Sequence, residues 1–143
     1  MNIGIDAIGA ISRDAGGKTY LIYLIKALSK ICSSNNFYIF LSAESEDIFG
    51  QLPDNFHKVF CPYTNKSGYA NKSGYAKVFG QHILLPLLAQ KYQVDVMYFP
   101  GNFAALLFPR PMVLSIRSML YYYYPEYVPL PKLIYRKKVM PIS

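Results

Sequence analysis

The sequence predicts an α/β domain built on a doubly wound parallel sheet. Short apolar runs bounded by turn residues alternate with segments of helical periodicity, the pattern of parallel strands joined by crossover helices. The composition agrees. Hydrophobic residues make up 52% of the 143 residues and charged residues only 16%, enough apolar surface for a core and too little charge for a disordered chain. That apolar fraction suits a sheet covered on both faces, or a piece of a larger protein with an interface left open.

Ile3 to Ile8 reads as the first strand. From about Lys18 to Ile31 the residues Tyr20, Leu21, Leu24, Ile25, Leu28 and Ile31 recur at helical spacing, which predicts the first helix. Ser33-Ser34-Asn35-Asn36 ends that helix and Phe37 to Leu41 forms the second strand. An acidic stretch from Glu44 to Asp47 leads into an irregular or short helical segment. Lys58 to Cys61 forms the third strand, stopped by Pro62. The six residues Asn65 to Ala70 are repeated unchanged as Asn71 to Ala76. One repetition of so short a unit makes no solenoid, so it reads as a tandem insertion in an exposed loop. A helix follows from about Phe79 to Tyr92, with Pro86 marking a kink or a late start. Val94 to Phe99 is the fourth strand, Met112 to Ile116 the fifth, and a last basic segment follows Pro131.

The net charge of +7 points to an anionic partner or to a solvated basic face. No motif for reading RNA or DNA accompanies it, and the 14 tyrosines do not alternate with Lys or Arg as a base-stacking platform would. Nucleic acid is therefore not expected. Cys32 and Cys61 lack metal-ligand spacing and read as reduced core thiols of a cytoplasmic protein. The N-terminus shows no signal-peptide pattern. The most apolar window, Phe103 to Tyr124, contains Arg110 and Arg117 with prolines and is not a membrane span. His57 and His82 read as surface residues.

In a doubly wound sheet, ligands bind beyond the carboxyl ends of the strands, where the strand order reverses. Three segments should converge there: Gly16-Gly17 after the first strand, Pro100-Gly101-Asn102 after the fourth, and Arg117 after the fifth. Two glycines allow backbone N–H groups to approach an anion closely, and the helix N-terminus behind them adds partial positive charge. An arginine directly after an apolar strand calls for an anion nearby. Asp6, inside the first strand, is either a functional buried acid or one satisfied by backbone N–H groups.

Two familiar phosphate motifs fit poorly. Ser12 to Thr19 ends in Gly17-Lys18-Thr19 as a P-loop does, but Ser12 stands where the first glycine belongs, and no strand ends in an acid for magnesium. The dinucleotide fingerprint G-x-G-x-x-G is absent, as is an acid at the end of the second strand.

The residues carry a more specific likeness. Gly4-Ile5-Asp6-Ala7, then Gly16-Gly17 followed by Tyr20-Leu21, Leu24 and Ala27-Leu28, resembles the opening of family 4 glycosyltransferases of the GT-B fold. Leu85-Pro86, Val94-Asp95-Val96, Phe99-Pro100 and Pro111 with Val113 to Ile116 follow in the same order, and Tyr124-Pro125 comes after. The resemblance spans nearly all of residues 1–143. It implies a Rossmann-like N-terminal, acceptor-side domain, incomplete at its C-terminal end and separate from the nucleotide-binding domain that usually supplies a glutamate pair. It further implies a retaining transfer of sugar from a nucleotide-sugar to a glycan or lipid-linked acceptor, with no metal or other cofactor. Residues 1–143 alone would then not catalyse transfer, because the donor electrostatics lie on the other domain.

On this resemblance Gly16 and Gly17 meet the donor diphosphate, and Asn102 and Arg117 line the acceptor cleft. Arg117 stands where many members carry a histidine followed by an aspartate, and a guanidinium there can hold a phosphate or acceptor anion bidentately. Lys18 and Tyr20 are further candidates, although a solvated first-turn lysine and a packing aromatic are the readings favoured for them. The Tyr121 to Tyr124 run is acceptor-facing, membrane-interfacial or shaped for another domain. The protein is expected in the cytoplasm, with peripheral contact at the inner membrane face. A P-loop-like NTPase and a non-catalytic Rossmann-like binding module are the alternatives.

Overall fold

The computed structural model describes residues 1–8, 16–31, 34–41, 48–61, 64–65, 68–69, 80–102, 104–105, 108–128, 130 and 133. Its centre is a five-stranded, wholly parallel sheet. The strands are β1 (Asn2–Asp6), β2 (Asn36–Leu41), β3 (Phe56–Phe60), β6 (Val96–Phe99) and β7 (Met112–Leu114), in the order β3-β2-β1-β6-β7. The predicted α/β class and parallel sheet are thus observed. Chain order runs outward from β1 to β3, then returns to the other side of β1 as β6. The order therefore reverses between β1 and β6, paired through Ile3 with Val96 and Ile5 with Tyr98. The amino end of that pairing is pinned by the Asn2 amide, which donates to Asp95 Oδ2 at 2.7 Å, and by the Asp95 amide, which donates to the Asn2 carbonyl at 2.8 Å.

Helix α1 (Gly16–Ile31) covers one face. Leu21 and Ile25, one turn apart on its inner stripe, are buried with Ile5, Phe37, Ile39, Leu41 and Phe56. Phe37 and Phe56 stack at 4.4 Å between centroids. Helix α2 (Leu85–Lys91) covers the opposite face, burying Leu85 and Ala89 against Phe40, Val59, Met97 and Phe99. Each fully buried Leu, Ile, Val, Phe or Met side chain contributes about 1.5–3 kcal/mol by leaving water. Gly4 lies under this second layer, where a Cβ would run into Met97 Sδ and close on Val94 Cγ1. The central strand needs glycine there for close packing, independent of any ligand.

Several boundaries differ from expectation, among them the ends of β1 at Asp6 rather than Ile8 and of β7 at Leu114 rather than Ile116. Helix α1 starts at Gly16 rather than Lys18, so the glycine pair forms its first turn instead of closing a loop. Of the kink or late start expected at Pro86, the structure has the late start: a π-helical turn, Gly80–Leu84, runs into α2, with Pro86 in its first turn, where the N–H that proline lacks is not needed. The fourth strand begins at Val96 because Val94 is still in the helix exit, its amide donating to the Ala89 carbonyl at 2.9 Å, with Gln93 at φ 52°. A glutamine in the left-handed region hides a helix end that a glycine would have announced. The third strand starts at Phe56, two residues early, its Val59 and Phe60 pairing with Phe40 and Leu41 of β2.

At the first copy of the hexapeptide repeat, β4 (Thr64–Asn65), which begins one residue before it, and β5 (Gly68–Tyr69) form a two-residue antiparallel ladder. The second copy, the acidic stretch 44–47, Cys32 and the basic end 134–143 lie outside the described residues. After β7 the chain forms a short helix α3 (Leu120–Tyr123) and a 3₁₀ turn, Pro125–Tyr127. Among the described residues, no helix is long and apolar enough to cross a membrane.

Candidate functional site

The carboxyl end of the β1–β6 pair is where the described residues concentrate polar side chains from separate segments. Gly16 and Tyr20 are four residues apart in α1 and therefore share a face of its first turns. Gly16 is exposed, and the space a Cβ would occupy there is open within 4 Å. The first-turn N–H groups of α1 have no intrahelical acceptors, which leaves donors and the positive end of the helix dipole.

Tyr20 reaches across to β6, its hydroxyl 2.7 Å from that of Tyr98. The Tyr98 phenol also takes a hydrogen bond from the Ser115 side chain. Burial is the main cause that raises the Tyr98 pKa, joined by the bond to Tyr20; Ser115 and the nearby Arg117 cation pull the other way. Tyr98 is thus a neutral hydroxyl that can both donate and accept at neutral pH.

Arg117 closes the other side. Its Cζ lies 5.2 Å from the centroid of the Tyr20 ring, a cation–π contact. Arg117 is exposed, so burial does not force a counter-ion on it, as the sequence argument supposed; its guanidinium rests on the Tyr20 ring. Its backbone is fixed by Asn102. The Asn102 Oδ1 accepts the Arg117 N–H at 2.7 Å, its Nδ2 donates to the Ser118 carbonyl at 3.3 Å, and its own N–H donates to the Ser115 carbonyl at 3.2 Å. Asn102 adopts φ 38°, a left-handed conformation that asparagine tolerates better than most residues. Both polar ends of its side chain hold the loop after β7, which makes Asn102 the residue that positions Arg117.

Lys18 is half-buried in the same first turn of α1. Asp6 ends β1 and is 6% exposed, with Oδ1 accepting the Ile8 N–H at 3.1 Å; it is the backbone-satisfied acid that the sequence allowed. Its charge adds to burial in pushing the Cys61 thiol up to about 12, so Cys61 is a buried thiol outside any disulfide that stays protonated. His57 is exposed, its ring tilted 5.0 Å from that of Tyr38. His82 is half-buried rather than a plain surface residue, and burial lowers its pKa.

The structure therefore brings together Tyr20, Asn102 and Arg117, all chosen from sequence, and adds Tyr98 and Ser115, while Gly16 stands one turn before Tyr20 in α1. The signal for Tyr98 was present: a hydroxyl-bearing residue near the carboxyl end of an apolar strand, just before Phe99-Pro100. Among the described residues, no group of three or more His, Cys, Asp or Glu side chains comes together. What the cluster offers is recognition of an anion and of hydroxyl groups: helix N–H donors, a guanidinium, two phenols and a serine. No protein-family model matches the chain, and the search of curated proteins finds no relative.

Proposed function

We propose that residues 1–143 form the acceptor-side domain of a GT-B glycosyltransferase of the family 4 type, in which a sugar passes with retention from a nucleotide-sugar to a glycan or lipid-linked acceptor in the cytoplasm. The observation that carries this reading is the convergence of α1's glycine turn with Arg117 at the reversal of strand order, through Tyr20 and Tyr98. Ligands of doubly wound sheets sit at that position. The motif order described above supplies the choice of chemistry.

In this reading the first-turn amides of α1 at Gly16 and Gly17 meet the donor diphosphate, with no side chain to hold the oxygens away. Arg117, steadied on the Tyr20 ring and aimed by Asn102, neutralises charge on the diphosphate or on an acceptor phosphate. Tyr98, Ser115 and Tyr20 bind sugar hydroxyls. The nucleotide itself and the groups that stabilise the glycosyl transition state belong to a second domain, so these residues bind and orient without completing transfer.

Thermal melts with UDP-glucose, GDP-mannose, the free diphosphates and ATP, each with and without magnesium, test this. Stabilisation by the diphosphate-bearing sugars without magnesium supports the proposal, and no response to any of them contradicts it. One observation favours a second reading: Gly17-Lys18-Thr19 lies in the first turn of the helix that follows parallel strand β1 in chain order, as the end of a P-loop does. Strong stabilisation by ATP that requires magnesium would select that reading instead.

A further inference from the structure

Three hydroxyls at the strand reversal form a chain with a direction. Tyr98 is bonded to both Ser115 and Tyr20, the two phenol oxygens standing 2.7 Å apart. Burial is the main influence raising the Tyr98 pKa; the bond to Tyr20 raises it further, as a bond that uses the Tyr98 proton does, and the bond to Ser115 lowers it, as a bond that Tyr98 accepts does. Ser115 therefore donates to Tyr98, and Tyr98 donates to Tyr20. Each hydroxyl has one proton to give, so the chain ends on a Tyr20 O–H that no member of the chain accepts. Ser115 is fixed at the other end, its amide donating to the Phe99 carbonyl at 2.9 Å and its carbonyl accepting from the Asn102 amide at 3.2 Å.

The open end of the chain offers donors only. Arg117 lies over the ring of the same Tyr20, its Cζ 5.2 Å from the centroid, and a guanidinium has five N–H groups and no acceptor. Among the described residues, Arg117 acts on Tyr98 through its charge and no Asp or Glu does. A sugar hydroxyl placed here would accept a bond but leave its own proton without a partner, which costs binding once water is displaced. A carboxylate accepts at both oxygens, donates nothing and matches the fork of a guanidinium. Its two oxygens suit one phenol and one guanidinium, whereas a terminal phosphate brings a third. We infer that Tyr20 and Arg117 together clamp the carboxylate of an acidic sugar, a uronate residue of the acceptor, with Ser115 and Tyr98 positioning the Tyr20 hydroxyl as a donor. The inference rests on the sugar-transfer reading and names the acceptor class of that site. Five N–H groups let Arg117 face the donor diphosphate as well.

The test is NMR titration of the isotope-labelled chain with methyl glucuronide, methyl glucoside, glucose-6-phosphate and UDP-glucose. The glucuronide should bind at least about tenfold more tightly than the glucoside, and more tightly than the sugar phosphate. Tyr20→Phe keeps the ring under Arg117 and removes only the hydroxyl, so it should abolish most of that preference and leave UDP-glucose binding unchanged. Ser115→Ala should reduce the preference, and Ser115→Thr, which keeps a donor, should restore it. A serine with a merely structural role would lower the melting temperature without moving the ratio of the two affinities. Glucuronide and glucoside bound alike, a tighter sugar phosphate, or a preference untouched by Tyr20→Phe would each overturn the inference. UDP-glucose reports separately on the sugar-transfer reading: a chain that prefers the glucuronide but ignores UDP-glucose keeps the carboxylate clamp and contradicts that reading.

Discussion

The hydroxyls of Tyr20 and Tyr98 stand 2.7 Å apart, and that bond ties the first turns of α1 to β6 across the reversal of strand order. It sets the plane of the Tyr20 ring on which Arg117 lies. Tyr20→Phe and Tyr98→Phe should each cost about 0.5–1.5 kcal/mol in urea unfolding, toward the low end because Tyr20 is 37% exposed and water can replace part of the bond. The double variant should cost less than the sum of the two, since both delete the same bond. Strict additivity would show that the two hydroxyls are not coupled in solution.

Gly16 separates stability from binding. Space is open where a Cβ would project, and Gly16 lies inside a helix with ordinary backbone angles. Gly16→Ala should therefore leave stability unchanged or raise it by about 0.4–1 kcal/mol, chiefly by restricting the unfolded chain. The same methyl would hold an anion away from the first-turn amides, so diphosphate binding should weaken while the melting temperature holds or rises. A variant with unchanged affinity would mean that no ligand approaches the helix there.

How much of this was legible follows from which forces act locally. Ile5, Leu21, Ile25, Phe40 and Met97 carry patterns of 2.0 and 3.6 residues that depend only on neighbouring sequence, and they place the strands, the helices and both core layers. The meeting of Asn102 and Arg117 with Tyr20 of α1 is what parallel topology allows, because it puts the loops after β1, β6 and β7 at one end. What was hidden depends on tertiary partners. Tyr98 looks like any strand aromatic until Tyr20 and Ser115 are brought to it from 78 and 17 positions away. The role of Asn102 required knowing that its carboxamide bonds to residues 15 and 16 positions later. The helix end at Gln93 was hidden because a non-glycine residue occupies the left-handed turn.

Cys61 predicts an alkaline loss of stability. Its thiol is held near 12 in the folded state, against 9.0 for the ordinary group, by burial and by the charge of Asp6. Between those two values the unfolded chain ionises while the folded one keeps its proton. The unfolded state then binds fewer protons, and stability falls as pH rises through that window, with the full contribution present below 9.0. Cys61→Ala, although less stable from the lost packing, should show a shallower decline above pH 9 than the parent in chemical denaturation. Parallel curves would place the titration elsewhere. In the native state at neutral pH, Cys61 should also resist thiol reagents until the chain unfolds.

The central claim is that the α1 turn and Arg117 form one anion site at the strand reversal. An NMR titration of the isotope-labelled chain with UDP-glucose and GDP-mannose, beside Arg117→Ala, tests it most directly. The amide signals of Gly16, Gly17 and Lys18 should move together with those of Asn102 and Arg117, without magnesium. Arg117→Ala should weaken binding by roughly tenfold to a hundredfold, the loss of a charge-assisted hydrogen bond of about 1.5–3 kcal/mol. Shifts confined to other parts of the chain, or an affinity indifferent to Arg117, would contradict it.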